Sequence, residues 1–118
     1  MLYEAIPEDD GYDVGGALAR GDMDRLRLVA LSVAMHSEDP GRAEALCLLL
    51  ARHDDGIVRG NAILGLGHVA RFHRKLISPE ASSAVEAALR DPDAWVRGQA
   101  TCAADDIEAF LGWTLDRS

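Results

Sequence analysis

Between Asp22 and His36 the chain reads DMDRLRLVALSVAMH, and its apolar positions Leu26, Val29, Ala30 and Val33 recur three and four residues apart. Residues so spaced share one side of a 3.6-residue turn, which predicts an amphipathic helix over about 22–36. SEDP closes it, because Pro40 disfavours helical geometry at the residue before it. The same proline suits the first turn of the next helix, where Ala43, Leu46, Leu49 and Leu50 form one apolar stripe over about 41–53. Asp54 and Asp55 stop that helix and offer N-caps to a third, about 56–72, with Val58, Ala62, Leu66 and Val69 inward. Beyond the polar connector HRKLISPE, Pro79 opens a fourth helix (about 79–90), which DPD ends. The fifth runs over about 94–111, with Gly112 at its end. DVGGALAR, ahead of all five, is a short helical stretch interrupted by Gly15 and Gly16. No segment alternates with period two, so the expected fold class is all-α.

The third and fifth helices begin with the same text. At an offset of 38, Asp55, Val58, Arg59, Gly60 and Ala62 fall on Asp93, Val96, Arg97, Gly98 and Ala100. At an offset of 32 upstream, Leu26, Arg27 and Ala30 fall on Val58, Arg59 and Ala62. Each clear copy follows a helix that ends in an acidic turn, LLLARHDD in one case and VEAALRDPD in the other. The unit is a helix, an Asp-containing turn and a V-R-x-x-A helix. Its chemistry is legible: the Asp caps free amides where the helix dipole favours negative charge. The Val packs on the preceding helix, and the Arg reaches an Asp or a carbonyl in the same or a neighbouring turn. Small Ala62 and Ala100 permit close approach. A glycine inside a helix costs about 1 kcal/mol relative to alanine. Gly60 and Gly98, at matching positions, are therefore expected at a tight contact with the backbone of another helix or with a partner.

These residues resemble a short HEAT-like repeat protein of the kind found in phycobilisome lyases, whose recurring text is L-x-D-x-x-x-V-R-x-x-A. The resemblance covers about residues 42–112, with a degenerate copy in 13–36. It implies a small α-solenoid of two to three helix pairs in one domain: 13–36, 42–72 and 80–112. FLGWTL (Phe110, Leu111, Trp113, Leu115) would cap the C-terminal end. Such units bury their faces only by stacking, and about three are needed for stability.

Composition sharpens this. Of the 118 residues 48% are hydrophobic and only 5% aromatic, which favours close-packed helices around a real core. The net charge of −8 makes nucleic acid a poor partner and a basic protein a good one. No apolar run reaches the roughly 20 residues that span a bilayer. Residues 1–12 are expected as an acidic, mobile lead-in; the start MLYEAIPEDD has neither a basic region nor an apolar core, and the default location is cytoplasmic.

Chemistry is thinly represented. His36, His53, His68 and His73 form no H-E-x-x-H and no i, i+4 pair, so no metal site is expected. Cys47 and Cys102 have apolar surroundings and are expected as free thiols used for packing. GLG at 65–67 lies within a helix and is no phosphate loop, and the carboxylates Asp105, Asp106 and Glu108 read as an exposed acidic turn. The expectation is a protein without enzymatic activity or cofactor.

If Val58, Ala62, Leu66 and Val69 face the core, Asn61, Leu64, His68 and Arg71 form the opposite stripe. The offset of 38 adds Gln99 and Asp106 on one side, with Asp105 beside them at the acidic end, and the offset of 32 adds Ser32 and His36 on the other. These nine residues are the expected partner-binding surface, for a protein with a basic surface. The resemblance extends to stand-alone bacterial HEAT-like immunity proteins that neutralise toxins. It equally admits an adaptor or assembly subunit and, more remotely, a chromophore-lyase-like protein.

Overall fold

The computed structural model describes residues 14–117, and the lead-in 1–12 lies outside them. Six helices follow in order: α1 (Val14–Arg20), α2 (Met23–His36), α3 (Pro40–Leu50), α4 (Gly56–His73), α5 (Ala81–Ala88) and α6 (Ala94–Leu111). The described residues contain no strand, so the chain is all-α. Within DVGGALAR, residues 14–20 form a sixth helix, which Gly15 and Gly16 do not interrupt. α3 stops at Leu50 rather than 53, because Arg52 and His53 already bond to carbonyls three residues back. α5 starts at Ala81 rather than Pro79 and has no side-chain cap, which leaves it only eight residues long.

Aspartate starts the other long elements. Asp22 accepts from the Arg25 amide, Asp39 from Gly41 and Arg42, Asp55 from Val58, and Asp93 from Trp95, at 2.8–3.2 Å. Each such cap contributes about 1 kcal/mol. At the far ends, α4 and α6 close in left-handed residues, Arg74 (φ 57°) and Gly112 (φ 71°). The arginine tolerates that conformation while its guanidinium lies 4.7 Å over the Phe110 ring.

α4 is the centre of the molecule. It packs most extensively on α6 and α2, while α3 rests across α2 and α4, and α5 across α4 and α6. Val58, Ala62, Leu66 and Val69 are fully buried, and so are Val96 and Ala100. The tight approach of α4 to α6 occurs at Gly67, where a Cβ would stand 2.8 Å from the Ala103 Cα. The two recurring glycines behave differently from the expectation and from each other. Gly60 is covered by a side chain, the Trp95 indole, and nothing lies within 4 Å of a Cβ added at Gly98.

Two arginine–carboxylate pairs tie successive elements together. Arg27 on α2 holds Asp55 through Nε and Nη2 at 3.1 and 2.9 Å. Arg59 on α4 holds Asp91 through the same two nitrogens at 2.8 and 3.0 Å. Its third nitrogen, Nη1, donates to the carbonyls of His53 and Asp54. The Arg27 guanidinium lowers the Asp55 carboxyl to about 2, and Arg59 likewise holds Asp91 below the usual range. A buried carboxylate, Glu44, fastens the connector after α4 by accepting the amides of Ile77 and Ser78 at 2.8 and 2.7 Å.

Two outcomes follow. A carboxyl with a depressed pKa stabilises the fold above about pH 4, where unfolded Asp is ionised. That contribution is lost as pH falls toward the folded value of about 2. In Asp55→Asn, denaturation midpoints should be lower at neutral pH and should change less between pH 4 and 2; an unaltered pH profile would remove Arg27–Asp55 as the cause. Gly67→Ala should destabilise by about 1–3 kcal/mol through overpacking against Ala103, whereas Gly98→Ala should gain about 0.5–1 kcal/mol of helix propensity. Thermal denaturation of both variants distinguishes the closed position from the open one.

Candidate functional site

The outward sides of α2, α4 and α6 form the surface with the most unusual chemistry. Large apolar side chains exposed near the starts of these helices are Leu28 (66%), Ile57 (39%) and Trp95 (48%), and Phe72 is exposed at the far end of α4. The first three share one feature. Each immediately precedes a buried valine: Val29, Val58 and Val96. Neighbours in a helix point about 100° apart, so when the valine enters the core its partner turns toward solvent. The Arg27 side chain grips Asp55 and its carbonyl accepts from the Asn61 amide, which registers α2 against the start of α4. Trp95 lies over Gly60, one turn further along α4.

Carboxylates flank this apolar row. Leu28 stands in a shallow depression of about 450 Å³ with Asp22, Asp24, Arg25, Val29 and Ser32. Asp54 lies exposed in the turn before Ile57, and Asp93 caps α6 two residues before Trp95.

The nine residues expected from the sequence are not all found where the repeat phase puts them. Ser32 is half-buried in the depression, and His36 is exposed at the end of α2. Leu64 and His68 are half-buried, and Arg71 is exposed. Asn61 is the clear correction: it is only 6% exposed, donates to the Arg27 carbonyl, and accepts from Gln99 Nε2 at 3.4 Å. An amide bridging three helices is part of the packing, because leaving it unpaired between them would cost more than exposing it gains. Asp105 is exposed but held by Arg117 at 2.9 Å, and Arg117 also meets Glu108 at 2.7 Å. Glu108 in turn accepts the Leu115 amide, which together with Arg117 lowers its carboxyl pKa and fastens the terminal segment on α6.

His68 sits half-buried within the stripe. Burial lowers its pKa, Asp106 opposes that and Arg71 adds to it. Its ring lies 5.9 Å from that of Phe72, and its buried Nδ1 has no hydrogen-bond partner.

Leu28, Ile57 and Trp95 escaped the repeat-phase reading, which asked which residues lie opposite the core. The signal that finds them is the apolar doublet itself, Leu28-Val29, Ile57-Val58 and Trp95-Val96, since one helix turn cannot bury both members against a single neighbour.

Elsewhere, a cleft of about 440 Å³ separates α3 from α5, floored by Ile63 and closed at one end by the Arg59–Asp91 pair. Its walls are largely alanine (Ala51, Ala84, Ala87, Ala88), with Arg52 and Glu80 as charged groups at the edge. Among the described residues no three His, Cys, Asp or Glu side chains converge as metal ligands.

The cysteines divide. Cys47 is fully buried, and desolvation aided by Glu44 pushes its thiol up to about 12. Cys102 is exposed, contrary to its expected packing role, because on α6 it falls on the side away from Ala100, Ala103 and Ala104. A thiol reagent applied to native protein should therefore titrate one group quickly and the second only in denaturant. Rapid reaction of both would mean that the core around Cys47 opens readily. Comparison with protein-family models, with curated proteins and with solved structures finds no match for this chain.

Proposed function

We propose that the chain is a non-catalytic protein-interaction module, a short α-solenoid of the HEAT-like kind that binds a protein with a basic surface. The observation that carries this is the set of exposed apolar side chains Leu28, Ile57 and Trp95, one on each of the mutually packed helices α2, α4 and α6. Contiguous exposed apolar side chains with a polar rim mark interaction surfaces, and tryptophan is prominent among residues that dominate binding energy. The rim here is acidic (Asp22, Asp24, Asp54, Asp93), and the whole chain carries −8. Such a rim steers a cationic partner and sets its orientation, while the apolar row supplies desolvated contact. Ser32, Leu64, Gln99 and Asp106 extend the same surface.

The resemblance to immunity proteins gives the partner a concrete form, a toxin domain whose cationic cleft the acidic face would cover. The adaptor reading shares the same face and differs only in the partner's identity.

The test is a binding series on whatever basic protein co-purifies with the chain from its source cells. Trp95→Ala should weaken binding about thirtyfold and Leu28→Ala about fivefold, in the range of interfacial truncations. Asp22→Asn with Asp24→Asn should slow association and flatten its dependence on salt. Ala45→Glu, on the exposed side of α3, should leave binding intact. If Leu28→Ala and the paired Asn variant bind normally while Ala45→Glu does not, the face is wrongly assigned.

A further inference from the structure

Arg97 repeats half of the arrangement that Arg59 makes. Arg59 anchors its Nη1 on the carbonyls of His53 and Asp54, and offers Nε and Nη2 to a carboxylate. Arg97, 38 positions later, anchors its Nη1 on the carbonyls of Asp91 and Pro92 at 2.8 and 3.0 Å, the equivalent positions. No carboxylate among the described residues occupies its other edge. The guanidinium is nevertheless already oriented, so the fork is preformed for side-on, two-bond capture of a carboxylate.

Beside it lies a second vacancy of the same origin. Gly60 follows Arg59 and receives the Trp95 ring, with two ring atoms 2.8 Å from where a Cβ would be. Gly98 follows Arg97, is exposed, and would meet nothing within 4 Å. A glycine there costs helix stability without any internal packing to justify it. Upstream, both features are filled by one short element: Asp91 on the arginine and, four residues later, Trp95 on the glycine.

We propose that the Arg97–Gly98 corner of α6 is a recognition site for an acidic turn of a partner protein. Its carboxylate would sit on Arg97 Nε and Nη2, and an aromatic ring four residues further on would lie against Gly98. A second copy of this chain is a poorer occupant. Its own Asp91 and Trp95 are already engaged internally, and two molecules of charge −8 repel. The corner adjoins the acidic-rimmed face, since Gly98 stands one turn beyond Trp95 on α6, but it takes a carboxylate and does not depend on the basic-partner reading.

The chain's own filled corner supplies the probe: a peptide of residues 90–102, kept helical from Asp93 onward by a side-chain bridge between positions 97 and 101. Nuclear magnetic resonance of isotope-labelled full-length protein reads the Arg Nε–Hε and Gly98 amide signals during titration. Arg97 and Gly98 should shift and saturate with a Kd on the order of 1 mM, as suits a single fork and one ring. The Arg59 Nε–Hε signal, whose fork is filled, should stay still. A peptide carrying Asp91→Asn should bind at least tenfold more weakly. Gly98→Ala protein should melt no lower than the parent yet bind the peptide about fivefold more weakly. The proposal is overturned if Arg97 fails to saturate, if the Asn peptide acts like the original, or if Arg59 shifts in parallel as in a general salt effect. Shifts of Arg97 that depend on protein concentration without peptide would assign the corner to a second copy and also overturn it.

Discussion

Asp55 carries two duties with one carboxylate, and the arrangement of the helices depends on it. Oδ2 accepts the Val58 amide and so starts α4, while the same carboxylate receives the Arg27 fork from α2. Helix initiation and helix-to-helix registration are thereby one event. With the start of α4 fixed against α2, the valine three residues on must enter the core and Ile57 must leave it. At the following step the duties divide: Asp93 caps α6, and Asp91 takes the Arg59 fork and the Asp93 amide. The position equivalent to Asp91 in the earlier turn is His53, whose Nδ1 accepts the Asp55 amide. Imidazole cannot receive a guanidinium fork as a carboxylate does, so Arg27 takes the cap residue itself. The two steps of the molecule therefore differ by a two-residue slip in the ion pair, although their text is nearly the same.

That slip explains which parts of the structure were legible in the sequence. Val58, Ala62, Val96 and Ala100 are buried as their spacing says, and the aspartates cap as their positions say. These are local consequences of a 3.6-residue period and four free amides. The non-local partners were not legible. Glu44 sits in a leucine-rich helix and looks like an ordinary surface charge, yet both its oxygens serve amides more than thirty residues away. Asn61 sits at the edge of the polar stripe by phase, and the close approach of α2 and α6 to either side of α4 converts that edge into an interior. A helical wheel knows one helix; it cannot say how many neighbours close over its flanks.

The matching glycines show the same limit from the other side. Gly60 and Gly98 are equivalent in text, and repetition implies one role for both. Their surroundings differ because α6 follows α4, whereas no described helix packs on the outer side of α6 in the same way. The residues that would face such a helix have changed character accordingly. Ile63 and Gly67, both buried, correspond to Thr101 and Asp105, both exposed, so the outer side of α6 is polar where that of α4 is apolar.

A helix with a polar outer side has no need of an oriented arginine or a bare glycine at its start. Solubility alone would be served by any charged residue at 97 and, for stability, by alanine at 98. Keeping the carbonyl-anchored guanidinium costs side-chain freedom that a solvated lysine would retain, since two backbone acceptors fix its plane. The polar substitutions at 101 and 105 lie further along α6 and leave the corner at 97 and 98 untouched. The outer side of α6 thus combines a surface suited to water with a first turn still shaped for a carboxylate and a ring, and only the second of these has chemistry for a ligand to use.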